Sequence, residues 1–121
     1  MRDYRQFYIN GQWVDPLVAN DLEVVNPANE EACAVISLGT AEDVNLAVAA
    51  AKQAFVSFGR SSRQERVELL EACVAIYERR YEEIAIAIRE EMGSPQTFAM
   101  EGQADCGLGH LAEALRVLRR S

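Results

Sequence analysis

The sequence lacks most of the residue patterns that mark a self-contained catalytic or metal site. One histidine among 121 residues excludes a histidine-rich metal centre. The chain also contains no HExxH, P-loop or GxSxG motif. Its three cysteines, Cys33, Cys73 and Cys106, are widely spaced and form no CxxC pair. They therefore predict reduced thiols rather than a disulfide framework or a zinc site.

Basic residues and long apolar runs are also scarce. The chain has 12 lysines and arginines against 19 aspartates and glutamates, which gives a formal net charge of −7. A face that binds nucleic acid or an anionic membrane needs positive charge, so we expect neither partner. No apolar run approaches the ~20 residues of a membrane span. Residues 1–6 are polar and no signal-peptide core follows them, so we expect a cytoplasmic protein.

Residues 1–39 show the short runs and turn signals of β-strands. Extended runs at 7–9 and 13–14 flank Asn10-Gly11, a strong signal for a tight hairpin turn. A second run, 22–25, stops at Asn26-Pro27, since the residue before a proline is driven toward extended geometry. A third run covers 33–36. We therefore predict three short extended segments, the first of them a hairpin.

From Thr40 onward the hydrophobic period changes from two residues to 3.6, which predicts helices. Thr40 with Asp43, and Ser62 with Glu65, have the spacing of a capping box at a helix start. The apolar face predicted for the first helix consists of Val44, Ala47, Val48, Ala51 and Phe55. The face predicted for the second consists of Val67, Leu70, Cys73, Val74 and Tyr77.

Glycines and charged runs predict where these helices end. Gly59 is expected to end the first helix, and the charged run 78–80 to bend or break the second. Residues 93–95, Gly-Ser-Pro, are expected to end the third. A last helix starts near Gln96 and is expected to loosen at the Gly-Leu-Gly of 107–109. The overall prediction is short strands followed by about four helices.

Three groups of residues have alternative chemical interpretations. Residues 107–109 lack the third glycine of a dinucleotide fingerprint and follow no strand, so we interpret them as a helix interruption. Cys106 and His110 lie four residues apart, but nothing supplies an orienting third group, so a buried structural thiol is favoured over a nucleophile. The carboxylates between 78 and 91 are expected to pair with Arg79 and Arg80 rather than to act as an acid–base pair.

Six segments, in order, resemble the opening of the aldehyde dehydrogenase family. Residues 8–14, YINGQWV, are similar to the family's (F/Y)INGEWV. Residues 24–29, VVNPAN, are similar to its VxNPAxGE, with Glu30-Glu31 where Gly-Glu is usual. The remaining similar segments are 34–36 with the helix 40–55, the helix around 62–70, residues 82–85, and 91–95, where Ser94 replaces a common lysine.

The resemblance implies an α/β, aldehyde dehydrogenase-like fold of which this chain is a part. Residues 1–121 are identified as the amino-terminal part of an NAD(P)-binding domain, with strands and turns in 1–39 and helices in 40–121. The intact NAD(P)-dependent enzyme is expected to oxidise an aldehyde to a carboxylic acid and to form a homo-oligomer. The family's catalytic cysteine, glutamate and asparagine and its nucleotide-contacting residues lie downstream. We therefore expect this chain alone to be inactive, with no catalytic or cofactor-binding residue and no bound NAD or NADP.

The resemblance also implies two auxiliary sites. Relatives hold a monovalent cation with oxygen ligands at positions that correspond here to the carbonyls of Val24 and Val25 and the carboxylate of Glu91. The alternative is that Glu91 only closes a helix. In relatives the helix after 91–95 borders the substrate entrance, which implies that Cys106 and His110 line the mouth of a channel.

A second hypothesis requires no catalysis. Helix faces without a partner in this chain are also typical of a helical interaction module that binds another protein. The two hypotheses differ in the partner, which is either the remainder of the dehydrogenase chain or a separate protein. Either way, we expect exposed apolar helix faces and a tendency to associate.

Overall fold

Strands precede helices, as the hydrophobic periods predict. The structure is a computed structural model and describes residues 1–120. It divides into two units, Met1–Arg60 and Ser61–Ser121. The first unit contains all the strands and one long helix, and the second is helical. Among the described residues, no helix is both long and apolar enough to span a membrane.

The first unit has five strands in two sheets. They are β1 (Arg2–Tyr4), β2 (Phe7–Ile9), β3 (Gln12–Val14), β4 (Asp21–Asn26) and β5 (Glu31–Ser37). β5 is central in the first sheet, with β1 parallel to it on one side and β4 antiparallel on the other. β2 and β3 form the separate hairpin, in which Tyr8 lies opposite Trp13.

The hairpin prediction is confirmed, but β1 is a strand that the sequence did not indicate. Asn10 and Gly11 have φ of 53° and 76°, the positive pair that a type I′ turn requires. Residues 2–4 are polar and were expected to precede the first strand. They pair with Ala34–Ile36 of β5, about thirty positions away in the chain. A local pattern gives no indication of such a distant partner.

The turn between β4 and β5 contains the second unusual backbone conformation. The Asn26 carbonyl accepts a hydrogen bond from the Glu30 amide at 2.8 Å, and its side chain accepts one from the Ala28 amide at 2.9 Å. Glu30 adopts φ of 60°, in the left-handed region that favours glycine. The departure from the family's Gly-Glu therefore falls at the position where the backbone calls for glycine.

Helix α1 (Ala41–Phe58) starts at the predicted capping box. The Thr40 hydroxyl accepts from the Asp43 amide at 3.2 Å, and Asp43 Oδ2 accepts from the Thr40 amide at 2.7 Å. The other oxygen, Asp43 Oδ1, accepts from the Leu17 amide at 3.0 Å. One buried carboxylate therefore caps α1 and also holds the loop that follows the hairpin.

The apolar face predicted for α1 is largely uncovered within the first unit. Val44 and Phe55 are 58% and 69% exposed, although β2 contacts the helix. Gly59 ends the helix as predicted, but with φ of −60° rather than in the left-handed conformation. A Cβ at Gly59 would lie 2.7 Å from the Phe55 carbonyl oxygen, so close packing explains the glycine.

The second unit contains α2 (Arg63–Arg79), α3 (Tyr81–Met92), α4 (Gln96–Phe98) and α5 (Asp105–Arg120). The Ser62–Glu65 capping box and the break at Arg80 are both confirmed. Gly93 ends α3 with φ of 67°. The buried apolar residues of this unit are Val67, Ala85, Ala99, Ala104 and Leu115. Cys73, assigned to the apolar face of α2, is exposed.

The predicted loosening at 107–109 is wrong. α5 is regular through these residues, and the irregular segment lies before it, as a π-helix over Ala99–Ala104. Gly107 serves packing instead, because a Cβ there would lie 2.3 Å from the Tyr77 hydroxyl oxygen. Residues 99–104 contain neither two glycines nor a proline, which are residues that commonly mark a helix irregularity. The sequence therefore offered no signal for the π-helix.

Replacing Glu30 with glycine is expected to stabilise the fold. Glu30→Gly removes the Cβ that makes the left-handed conformation costly, and we expect a gain of about 1 kcal/mol in the free energy of unfolding. Urea denaturation of the chain measures this change. Glu30→Ala is the matched control, since it removes the same carboxylate but keeps the Cβ. Equal effects of both variants would assign the gain to charge instead of backbone strain.

The Asp43 carboxylate is expected to make stability depend on pH. Hydrogen bonds from the Thr40 amide, the Leu17 amide and the Thr40 hydroxyl lower its pKa. Its contribution is therefore complete above the unfolded pKa of about 3.9 and is lost as the pH falls through the lower folded value. Asp43→Asn should lower the melting temperature at pH 7, with a difference from wild type that shrinks in acid. Glu42→Gln, at an exposed neighbour, is the control, and a constant difference at all pH values would contradict the assignment.

Candidate functional site

Val24 and Val25 are consecutive residues of β4, and the pairing of β4 with β5 is irregular between them. Val24 faces Ala34 whereas Val25 faces Ala32, so Cys33 is an extra residue on β5. Such a β-bulge disrupts the alternation of the ladder and bends the strand. It makes the end of β4, where the two candidate carbonyl ligands lie, the least regular part of the sheet.

The bulge also brings a thiol to one of these carbonyls. Cys33 Sγ donates to the Val24 carbonyl oxygen at 3.2 Å, and Cys33 is half-buried. A thiol is a weak donor, so a cation would displace this contact at little cost. The Val25 side chain is 47% exposed, which places this strand end at the surface of the first unit.

Glu91 lies in the last turn of α3, in the second unit, and its side chain is exposed. The carbonyl end of a helix carries partial negative charge, which disfavours a carboxylate there and favours a cation. Arg89 is the basic residue of the same turn. A carboxylate at the negative end of a helix is an arrangement that a bound cation would stabilise.

A metal centre built from side chains is not found in the part of the chain that the structure describes. Within residues 1–120, no group of three or more histidine, cysteine, aspartate or glutamate side chains is arranged to hold a metal ion. The ligand atoms predicted at Val24 and Val25 are backbone carbonyl oxygens, which suit a hard cation.

Cys106 and His110 both lie on α5 and are both exposed. The interpretation of Cys106 as a buried thiol is therefore wrong for this chain. Across residues 1–120, no hydrogen bond joins these two side chains. Their spacing of four residues puts them on the same side of the helix. That arrangement is suited to lining a surface and has no activating partner for nucleophilic catalysis.

An ordinary surface ion pair lies within the acidic run of residues 78–91. Arg80 contacts Glu83 at 3.0 Å, three residues on, and both side chains are more than half exposed. Exposed pairs of this kind contribute little to stability. This ion pair fits the predicted surface role of the acidic run, with a spacing of three residues where four was expected.

The arrangement that the sequence did not reveal involves two tyrosines and the π-helix. The Tyr77 hydroxyl donates to the Ala104 carbonyl at 2.9 Å, and the Tyr81 hydroxyl donates to the Met100 carbonyl. Burial, and then the nearby Asp105, raise the pKa of Tyr81. Two tyrosines four residues apart, on either side of the break between α2 and α3, were the available signal, but nothing in the sequence identified their carbonyl partners.

Comparison with known proteins shows similarity to aldehyde dehydrogenases. Residues 13–121 match the sequence model of the aldehyde dehydrogenase family. The chain is 52% identical over 120 residues to 3-succinoylsemialdehyde-pyridine dehydrogenase from a Pseudomonas species, covering 98% of this chain and 25% of that protein. It therefore spans about a quarter of the length of that curated relative.

Solved structures agree over the same region. An aldehyde dehydrogenase from Bartonella henselae superposes with a TM-score of 0.98 at 40% identity, over 100% of this chain and 25% of that one. A mutant aldehyde dehydrogenase from Pseudomonas syringae, complexed with NAD+ and octanal, gives a TM-score of 0.93 at 36% identity. That match covers 95% of this chain and 24% of the other.

Proposed function

The chain belongs to the aldehyde dehydrogenase family, and we propose that it is the amino-terminal part of the NAD(P)-binding domain of an enzyme that oxidises an aldehyde to a carboxylic acid. The observation that carries this proposal is the match of the whole chain to one quarter of a solved dehydrogenase, with a TM-score of 0.98. We further propose that the intact enzyme forms a homo-oligomer, as the resemblance implies, and that it is cytoplasmic.

The cofactor of the intact enzyme would be NAD or NADP, which accepts the hydride when bound. NAD+ in the Pseudomonas syringae relative supports this choice. The residues of this chain do not fit a nucleotide cradle, because Gly107 and Gly109 lie inside the regular helix α5 and not in a turn between a strand and a helix. Cys33, Cys73 and Cys106 match none of the family's nucleophile context. We therefore assign no catalytic or cofactor-contacting role to this chain.

Its proposed role is to provide packing surface for the rest of the enzyme. Large apolar side chains are exposed on α1, where Val56 and Phe58 are 64% and 54% accessible, and Leu69 and Ile76 are exposed on α2. Exposed large apolar side chains on a helix can provide a packing or interaction surface. The alternative, a non-catalytic helical module for a protein partner, would use the same faces. The family match along the chain favours the dehydrogenase.

We also propose that Val24, Val25 and Glu91 contribute oxygen ligands to a monovalent cation in the intact enzyme. The bulged strand end at Val24 and Val25 and the unfavourable position of Glu91 at a helix carbonyl end support this assignment. The remaining ligands would come from the rest of the dehydrogenase. In the same enzyme, Cys106 and His110 are proposed to line the substrate entrance, since both are exposed on one side of α5.

The dehydrogenase assignment is tested by comparing two proteins. The 121-residue chain should show no aldehyde-dependent reduction of NAD or NADP above blank. A full-length dehydrogenase that carries this sequence as its amino-terminal segment should show clear turnover. Absorbance at the wavelength of the reduced nicotinamide measures both. Activity of the chain alone would contradict the assignment of catalysis to other parts of the enzyme. Inactivity of the full-length protein would favour the interaction module.

Substituting Glu91 is expected to weaken cation binding in the full-length enzyme. Glu91→Gln removes the charged ligand, and we expect the affinity for Na+ or K+ to fall by at least about tenfold. The increase in melting temperature with added salt, compared with choline chloride, measures the affinity. Glu90→Gln, one residue earlier in the same turn, is the matched control. Equal responses of both variants would indicate that Glu91 only closes the helix.

A further inference from the structure

The last helical stretch of the chain changes its geometry twice. Residues 96–98 are α-helical, Ala99–Ala104 form a π-helix, and residues from Asp105 onward are α-helical again. Ala99 and Ala104 are buried, at 1% and 0% exposure. A π-turn holds one more residue than an α-turn and is rarely stable by itself. The surrounding structure must therefore hold this segment in place.

Two tyrosine hydroxyls contact the backbone of this π-helix. Tyr77, on α2, donates to the carbonyl of Ala104, and Tyr81, at the start of α3, donates to the carbonyl of Met100. The two rings meet edge to face, with centroids 6.3 Å apart and an interplanar angle of 70°. The break at Arg80 lies between them, so each helix contributes one donor.

Two glycines provide space at or next to the π-helix, and one of them adjoins Tyr77. A Cβ at Gly107 would lie 2.3 Å from the Tyr77 hydroxyl oxygen, so a side chain there would displace the hydroxyl that reaches Ala104. A Cβ at Gly102 would lie 2.9 Å from the Phe98 ring. By contrast, a Cβ at Gly109 would meet nothing within 4 Å. Gly107 is therefore explained by the tyrosine contact and not by flexibility of α5.

The position of α5 explains why an extra residue is needed. Leu115 is buried on α5, and Arg119 pairs with Glu71 of α2, so the far end of α5 is held against α2. The buried Ala99 holds the near end of the π-helix. If residues 99–104 closed into an α-helix, α5 would rotate by about 100° about its axis. The extra residue of the π-helix supplies the rotation that is needed between its two fixed ends.

We propose that Tyr77 and Tyr81 are positioning residues that hold Ala99–Ala104 in the π conformation and so set the rotation of α5. The phenol groups act only as hydrogen-bond donors to backbone carbonyls. Through α5 they fix the direction of the side chains of Cys106 and His110. The consequence for substrate access rests on the proposed function, whereas the consequence for the helix does not.

The test removes only the hydroxyl groups, in a full-length dehydrogenase that carries this sequence. Tyr77→Phe and Tyr81→Phe should each make amide hydrogen exchange in residues 99–108 roughly three- to tenfold faster, and the double variant more so, because a buried carbonyl loses its donor. Tyr8→Phe, in the exposed hairpin, is the matched control and should leave this exchange unchanged. Exchange that stays within twofold of wild type in the double variant overturns the proposal.

A second pair of variants tests the same contact without changing a tyrosine. Gly107→Ala should displace the Tyr77 hydroxyl and speed the exchange of residues 99–108 as Tyr77→Phe does. Gly109→Ala adds the same methyl group to the same helix at an open position and should not. If Gly107→Ala and Gly109→Ala change the amide exchange of residues 99–108 equally, the proposal is wrong. This comparison holds even if the phenylalanine variants fold poorly.

Kinetics separate this proposal from the assignment of the substrate entrance. With α5 free to rotate, the double phenylalanine variant should raise the KM for the aldehyde substrate severalfold and leave kcat unchanged. A loss of general stability would lower the amount of active enzyme without this split. Faster exchange with an unchanged KM would support the positioning role and overturn the placement of Cys106 and His110 at the entrance.

Discussion

Buried backbone groups that leave the regular ladders must find other hydrogen-bond partners, and this constraint governs the internal structure of each unit. In the first unit the Asp43 carboxylate accepts the amides of Thr40 and Leu17, which ties the start of α1 to the loop after the hairpin. In the second unit the hydroxyls of Tyr77 and Tyr81 supply donors to carbonyls of the π-helix. Polar side chains therefore set positions that apolar packing would leave loosely defined.

The apolar side chains have a different distribution from that of a self-sufficient domain. Most of the buried apolar residues are alanines, namely Ala34, Ala85, Ala99 and Ala104. Larger residues such as Trp13, Phe55 and Phe98 are exposed. Alanine allows close approach of backbones but buries little apolar area, so it contributes modestly to stability. Much of the apolar surface is therefore available to pack against further protein, in keeping with the family to which the chain belongs.

Signals contained within a few residues were reliable. The Asn10-Gly11 turn and the capping boxes at Thr40 and Ser62 were predicted and are present, because each depends on local backbone geometry. The break at Arg80 was also predicted and is present. The family and the part of it that this chain represents were recognisable from the same local segments. The order of these segments along the chain distinguishes the family's pattern from ordinary turns and caps.

Features that depend on distant partners were missed. β1 exists because residues 2–4 pair with β5, and the π-helix lies where tyrosines of α2 and α3 meet it. The exposure of Cys106 and of the α1 face likewise depends on what lies opposite each helix. The sequence by itself thus determined the helices and strands with local signals, their caps and turns, and the family. Only the tertiary structure decided which faces are covered, where the helix becomes a π-helix and why Gly107 is a glycine. Those outcomes are set by contacts between residues far apart in the chain, and such contacts leave no periodic signal in it.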